Sequence, residues 1–225
     1  MPGNEVQRAP SGAISPMKKV VNYLGQLRIY ALIDYIFLLI AAQANIKQAI
    51  GALLLHIGFL CYLEIKHNHE YRSKLPQGIW LLFILSGAML YKKPELLVFI
   101  AASYLYTLKK KNYWGISSPL WRGVQILALV GGITGYTTIL PWLAGVLTLV
   151  RNTLGDYRDI EKDKKEKMKT IPIILKVKPL RFYKHIHRIG ITVTTIIWWS
   201  FTSLPIEILM VGIILEQTTY NLTTR

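Results

Sequence analysis

The chain has 225 residues, 52% of them apolar, with a mean hydropathy of +0.33. That is too apolar for an ordinary soluble domain, and repeated long apolar runs point to an all-α, polytopic helical membrane protein. Lys and Arg outnumber Asp and Glu by 27 to 12; in so apolar a chain the excess reads as loops facing anionic lipid, and no nucleic-acid partner is expected.

Residues 1–19 are polar, contain Pro, Gly and Ser, and lack the apolar core of a signal peptide. They read as a flexible cytoplasmic tail, with residues 20–225 as a single transmembrane domain. The first span follows Asn22–Arg28 and runs to about Ala44. Asp34 lies inside it, where an acid is expensive; it is either functional or paired with a basic neighbour in the bundle interior.

The second span, about Lys47 to Glu64, carries Cys61, the one cysteine, so neither an internal disulfide nor a thiolate metal cluster is possible. Beyond it, Glu64 and Asn68 are four residues apart and share a helix face, joined by His67 and Tyr71; as a pair, His67 and His69 read as solvent-facing loop histidines. The third and fourth spans, about 78–91 and 95–108, are short for a hydrocarbon core of roughly 30 Å; Lys92-Lys93-Pro94 joins them. A loop over 112–122 containing Gly115 and Pro119 is expected next, then a fifth span from about Leu120 to Tyr136 whose Gly131-Gly132 permits close packing.

After a turn near Pro141, the sixth span leads into Asn152–Pro172, the stretch around which the chain is organised. On a continuous helix at about 100° per residue, Asp156, Asp159 and Asp163 fall near 0°, 300° and 340°, with Asn152 on the same face at about 320°. Carboxylates so close repel unless a cation sits between them. Mg²⁺ meets that need, taking one or two carboxylates and completing its shell with water and phosphate oxygens. Lys162, Lys164, Lys165, Lys167 and Lys169 follow at once. Acids for a metal beside bases for an anion suit a metal-bound diphosphate; the alternative is a solvated charged loop. The seventh and eighth spans are expected at about 186–201 and 205–220, Trp198 and Trp199 suiting an interface.

Asp159-Ile-Glu-Lys-Asp163, followed by Lys169-Thr-Ile-Pro-Ile173, resembles the second aspartate-rich motif of the UbiA-type membrane prenyltransferases, D-x-E-x-D with a basic-Thr-apolar-Pro stretch after it. Asp156 matches an upstream aspartate of some branches. Tyr104-Leu-Tyr-Thr-Leu-Lys-Lys110 resembles the family's helix-four ending, Lys74-Leu-Pro-Gln-Gly78 the end of its first loop, and Arg28 the arginine before helix one, with Ile29 where proline is usual. The first acidic motif is eroded: Glu64 and Asn68 stand at its last two aspartates, Leu60-Cys61 at its leading Asn-Asp, and Ser73, beside Arg72, at the loop arginine. The family commonly has nine spans, one more than here. The resemblance implies a UbiA-like bundle, with Mg²⁺ on Asp156, Asp159 and Asp163 opposite Glu64 and Asn68. Lys109, Lys169 and Arg72 would be diphosphate ligands, and Asp159, Asp163 and Lys109 the catalytic set.

With eight spans, the loops at 64–78, 109–122 and 151–184 carry three, four and eleven Lys or Arg. They share a side with both termini. The opposite loops carry Lys47, then Lys92 and Lys93, then none near 137–141 or 202–205. That asymmetry puts the basic side, and the aspartates, in the cytoplasm. The function implied is Mg²⁺-dependent transfer of an isoprenyl group from a prenyl diphosphate to an aromatic or lipid acceptor, with Tyr104, Tyr106, Tyr113 and Trp114 as candidate rings facing a developing cation. The alternative is a relative that binds prenyl diphosphate or a partner without turnover. A transporter is disfavoured, since no broken helix pair recurs in two halves. Nothing in the sequence sets an oligomeric state.

Overall fold

The computed structural model describes residues 27–67, 75–108 and 114–223. Asn68, His69, Arg72, Lys109, Tyr113 and the 1–19 tail lie outside them. The described residues form ten helices and no strand, so the chain is all-α. In chain order they are α1 (Ile29–Ala41), α2 (Ile46–His67), α3 (Ile79–Tyr91), α4 (Glu95–Thr107), α5 (Trp114–Thr134), α6 (Ile139–Arg158), α7 (Ile160–Lys165), α8 (Ile171–Ile174), α9 (Phe182–Ser200) and α10 (Ile206–Thr223).

Local chemistry sets several of these boundaries. Asn45 and Gln48 form a reciprocal cap on α2: the Gln48 backbone N–H donates to Asn45 Oδ1 at 3.0 Å, and the Asn45 N–H to Gln48 Oε1 at 3.3 Å. Lys92, with φ of 50°, ends α3, and Pro94 and Glu95 open α4 two residues later. The expected loop over 112–122 is instead helix from Trp114, with Pro119 inside α5. Pro119 lies close to the helix start, so its missing N–H removes a single hydrogen bond near an end that is already under-bonded. Arg122, which the sequence places in a basic loop, therefore sits well inside α5.

The bundle is built from neighbouring hairpins. α2 packs on α3, α5 on both α4 and α6, and α1 on α9 and α10. α2 and α3 approach closely where Gly51 faces Gly87. A Cβ on Gly51 would lie 2.7 Å from the Tyr91 backbone nitrogen, and one on Gly87 2.9 Å from both the Gly51 carbonyl oxygen and the Leu55 nitrogen. Backbone cannot yield as a flexible side chain can. Gly87→Ala is therefore expected to destabilise the fold by about 1–3 kcal/mol, read as a lower thermal midpoint in detergent. Gly135→Ala, at a loop position with only Thr137 Oγ1 near its Cβ at 3.8 Å but φ of 78°, would lose through backbone strain instead.

Over an apolar core, large apolar side chains also lie outside and several charged or polar ones lie inside. Leu82, Met89, Leu97 and Ile139 are each more than 60% exposed, whereas Asp34, Arg122, Gln125, Thr195 and Glu216 are all at or below 6%. By length and composition α2 qualifies to cross a membrane; α1, α3 and α4 are apolar but only 13 residues, roughly 20 Å, long.

Candidate functional site

The last two turns or so of α6 are polar. It presents Arg151, Asn152, Asp156 and Arg158 toward the bundle centre. The chain then breaks at Asp159, which has φ of −97° and ψ of 11°, and restarts as α7. The break is slight. The Asp159 N–H still donates to the Gly155 carbonyl at 3.0 Å, and the Asp163 N–H to the Asp159 carbonyl at 2.8 Å. The three aspartates thus do not share one continuous helix, as the 100° spacing assumed, yet all three line one cavity.

That cavity lies among α1, α2, α4, α5, α6, α7 and α9. Asp156, Asp159, Lys162 and Asp163 form its acidic side. Asp156 and Asp163 are 5% and 2% exposed. Asp159 is more open, and Arg158 holds it in a fork: Nε donates to Oδ1 at 2.8 Å and Nη2 to Oδ2 at 2.6 Å. Arg158 Nη1 lies 3.3 Å from His187 Nδ1, which in turn lies 2.9 Å from the Tyr220 hydroxyl. The remaining walls are basic and aromatic. Arg28, Arg122 and Arg151 converge with His56, Phe59 and Tyr106. Tyr106 points its hydroxyl at Asn152 Oδ1, 3.4 Å away.

The other site residues expected from sequence fall differently. Glu64 is buried, but it borders a separate apolar cavity between α2 and α3 rather than this one. Its link to the aspartate cavity is Arg28, whose Nη2 lies 3.9 Å from Glu64 Oε1. Lys169 is exposed and does not line the cavity, whereas Lys162 does. Tyr104 is also exposed. Asn68, Lys109, Arg72 and Tyr113, and the Trp114 side chain, lie outside the described residues. Asp34 is the paired buried acid: Arg151 Nη1 donates to its Oδ2, and Thr194 Oγ1 to its Oδ1 at 2.7 Å.

Arg122, Arg151, Arg158, His56 and His187 are the cavity residues that sequence reasoning passed over. The signal for them is present: a cation or imidazole inside an apolar helix, which in lipid faces the interior or a wet cavity. Charge counting assigned Arg122 and Arg151 to loops because both stand near the ends of their apolar runs.

No family model, curated protein or solved structure matches this chain.

The donor set bears on a metal as follows. Among the described residues no three His, Cys, Asp or Glu side chains gather closely enough to cage an ion by themselves. Mg²⁺ does not require that. One or two carboxylates suffice where water and phosphate oxygens complete the shell. Asp156 and Asp163, buried carboxylates on a cavity whose other walls are cationic, fit such a half-shell. Asp159 fits only by sharing an oxygen with, or releasing, Arg158.

Proposed function

We propose that this protein is a UbiA-like membrane prenyltransferase. It transfers an isoprenyl group from a prenyl diphosphate to a separate acceptor in the cavity at the end of α6. The observation that carries this reading is an interior cavity lined by three aspartates and by Arg28, Arg122, Arg151 and Arg158, in a bundle with many exposed apolar side chains. Exposed large apolar side chains and charged groups held inside favour lipid as the surrounding solvent, with α1–α6, α9 and α10 as eight spans. The short α1, α3 and α4 fit a locally thinned bilayer. Lys and Arg bias keeps both termini and the aspartates on the cytoplasmic side.

In the reaction, the allylic C–O bond breaks, the electron pair leaves with diphosphate, and the carbon forms a bond to the acceptor, which gives up a proton. Mg²⁺, when bound, neutralises charge growing on the leaving oxygens. Asp156 and Asp163 would hold it, and Lys162 and Arg158 would meet the outer oxygens as point charge and fork respectively. The Tyr106 ring borders the space where positive charge develops. The surrounding helices exclude the water that would quench it.

A second reading has its own support. Leu60-Cys61 stands where oxygen ligands are expected, Arg28 holds Glu64, and Arg158 holds Asp159. These favour a chain that binds a prenyl diphosphate without breaking it. One assay separates the two. Membrane extract containing the protein is incubated with labelled prenyl diphosphate, acceptor lipids and Mg²⁺. Diphosphate release that EDTA stops, and that an Asp159→Ala/Asp163→Ala double variant lacks, is the result expected of the enzyme. Saturable binding with no release sinks the enzyme reading and leaves the binder.

A further inference from the structure

The segment that carries the chain from the aspartates back into the bundle is basic and apolar at once. From Lys167 to Ile206 the sequence holds seven Lys or Arg and no Asp or Glu. Lys176, Lys178, Arg181 and Lys184 stand between the end of α8 and the first turn of α9, and all four are exposed. Among the described residues none of the four pairs with an acid. Leu175, Leu180 and Phe182 are interleaved with them, and are 63%, 56% and 63% exposed.

Position sets this surface apart from a solvated loop. At about 100° per residue, Phe182, Ile189, Val193 and Ile196 fall within a sector of roughly 60° on α9. All four are exposed, so one apolar stripe runs up to the helix's first residue. Phe182 precedes His187 of the aspartate cavity by five residues, roughly 7 Å. Inward, α8 packs on α6 and α7, and Met168, Thr170 and Pro172 are buried. The outer side thus stands close to the level of the aspartates, where the apolar stripe ends. Water suits the cations there and not the leucines; hydrocarbon suits the reverse. A boundary between acyl chains and anionic phosphates suits both.

We propose that residues 175–184 are a docking surface for anionic phospholipid. Leu175, Leu180 and Phe182 enter the acyl boundary, while Lys176, Lys178 and Arg181 take the headgroup phosphates, Arg181 as a fork and the lysines as point charges. The surface rests on lipid as the surrounding solvent, as argued above, and not on prenyl transfer. Its effect reaches inward. Because α8 packs on α6 and α7, lipid held on the outer side steadies the short helix that carries Asp163.

Hydrogen exchange of the full chain in lipid nanodiscs, read by mass spectrometry on peptides covering 175–184, tests this. Discs of phosphatidylcholine alone are compared with discs of phosphatidylcholine and phosphatidylglycerol in equal parts. Residues 177–180 have no regular structure, so their N–H groups exchange readily unless something covers them. Exchange there should slow by at least about threefold in the anionic discs, and salt at about 0.5 M should remove most of the slowing. The triple variant Lys176→Gln/Lys178→Gln/Arg181→Gln should lose it too, with exchange in α5 matching the wild type as the sign of an intact fold. Equal exchange in the two kinds of disc, or slowing that the triple variant keeps, overturns the surface; the first comparison needs no variant to fold. Polyglutamate that slows exchange as much in phosphatidylcholine discs makes the partner an acidic chain and also overturns it. A chain that enters neither disc removes lipid as the solvent and this surface with it. Lipid-dependent exchange without any release of diphosphate from prenyl diphosphate leaves the surface standing and sinks the prenyltransferase reading.

Discussion

Asp163→Ala is expected to lower Mg²⁺-dependent diphosphate release by at least about a hundredfold, and Asp159→Ala by distinctly less. The two residues are equivalent in the motif and not in the fold. Asp163 is 2% exposed, on a helix pinned by the bond from the Met168 N–H to its carbonyl at 2.8 Å. Its side chain lines the cavity where the proposed cation would sit. Asp159 sits at the break between α6 and α7, its side chain 35% exposed and both oxygens in the Arg158 fork. Removing Asp159 therefore costs a carboxylate but frees a guanidinium, held near His187, to meet the same diphosphate. The two changes oppose each other in their effect on the anion. Release measured over a Mg²⁺ series separates the terms: Asp163→Ala should raise the Mg²⁺ needed for half-maximal release, and Asp159→Ala should mainly change the prenyl diphosphate concentration needed. Equal losses with an unchanged Mg²⁺ requirement would remove Asp163 from the metal site.

That asymmetry could not be read from the chain. Apolar runs and charge bias mark the helices well, because a helix interior repeats one signal over 13 or more residues. The stop at Lys92–Pro94 is equally local, and it is legible for that reason; the Asn45/Gln48 cap is just as local, yet the reading of the sequence passed over it. Asp156, Asp159 and Asp163, which the spacing put near one face, do line one cavity. What spacing cannot carry is which partner each side chain finds. Arg158 precedes Asp159 by one residue, and a fork between such neighbours depends on the local break, not on a period. Arg122 looked like a loop cation because Pro119 looked like a loop residue. One proline misread near a helix start moved a buried guanidinium to the surface. Glu64 was expected to face the aspartates, and Arg28 intercepts it.

Asp34→Ala should destabilise the protein by about 3–5 kcal/mol, the range for removing one partner of a buried pair. Asp34 is 3% exposed and receives three donors, from Arg151, Thr194 and Thr195. Through them it ties α1 to α6 and α9, and Thr195 Oγ1, 3.3 Å from both Glu216 oxygens, extends the tie to α10. Alanine leaves Arg151 charged, buried and short of its carboxylate. The loss should be smaller for the double change Asp34→Leu with Arg151→Met, because an apolar pair of similar size needs no hydration restored. Thermal unfolding of the purified protein in one detergent, for the wild type, both single variants and the pair, measures the coupling. The same helices carry Arg28, Asp156 and His187 to the cavity wall, so prenyl diphosphate binding should weaken along with stability, in step with it. If Asp34→Ala keeps its thermal midpoint while diphosphate release is lost, Asp34 acts at the site itself and is not a clamp between helices.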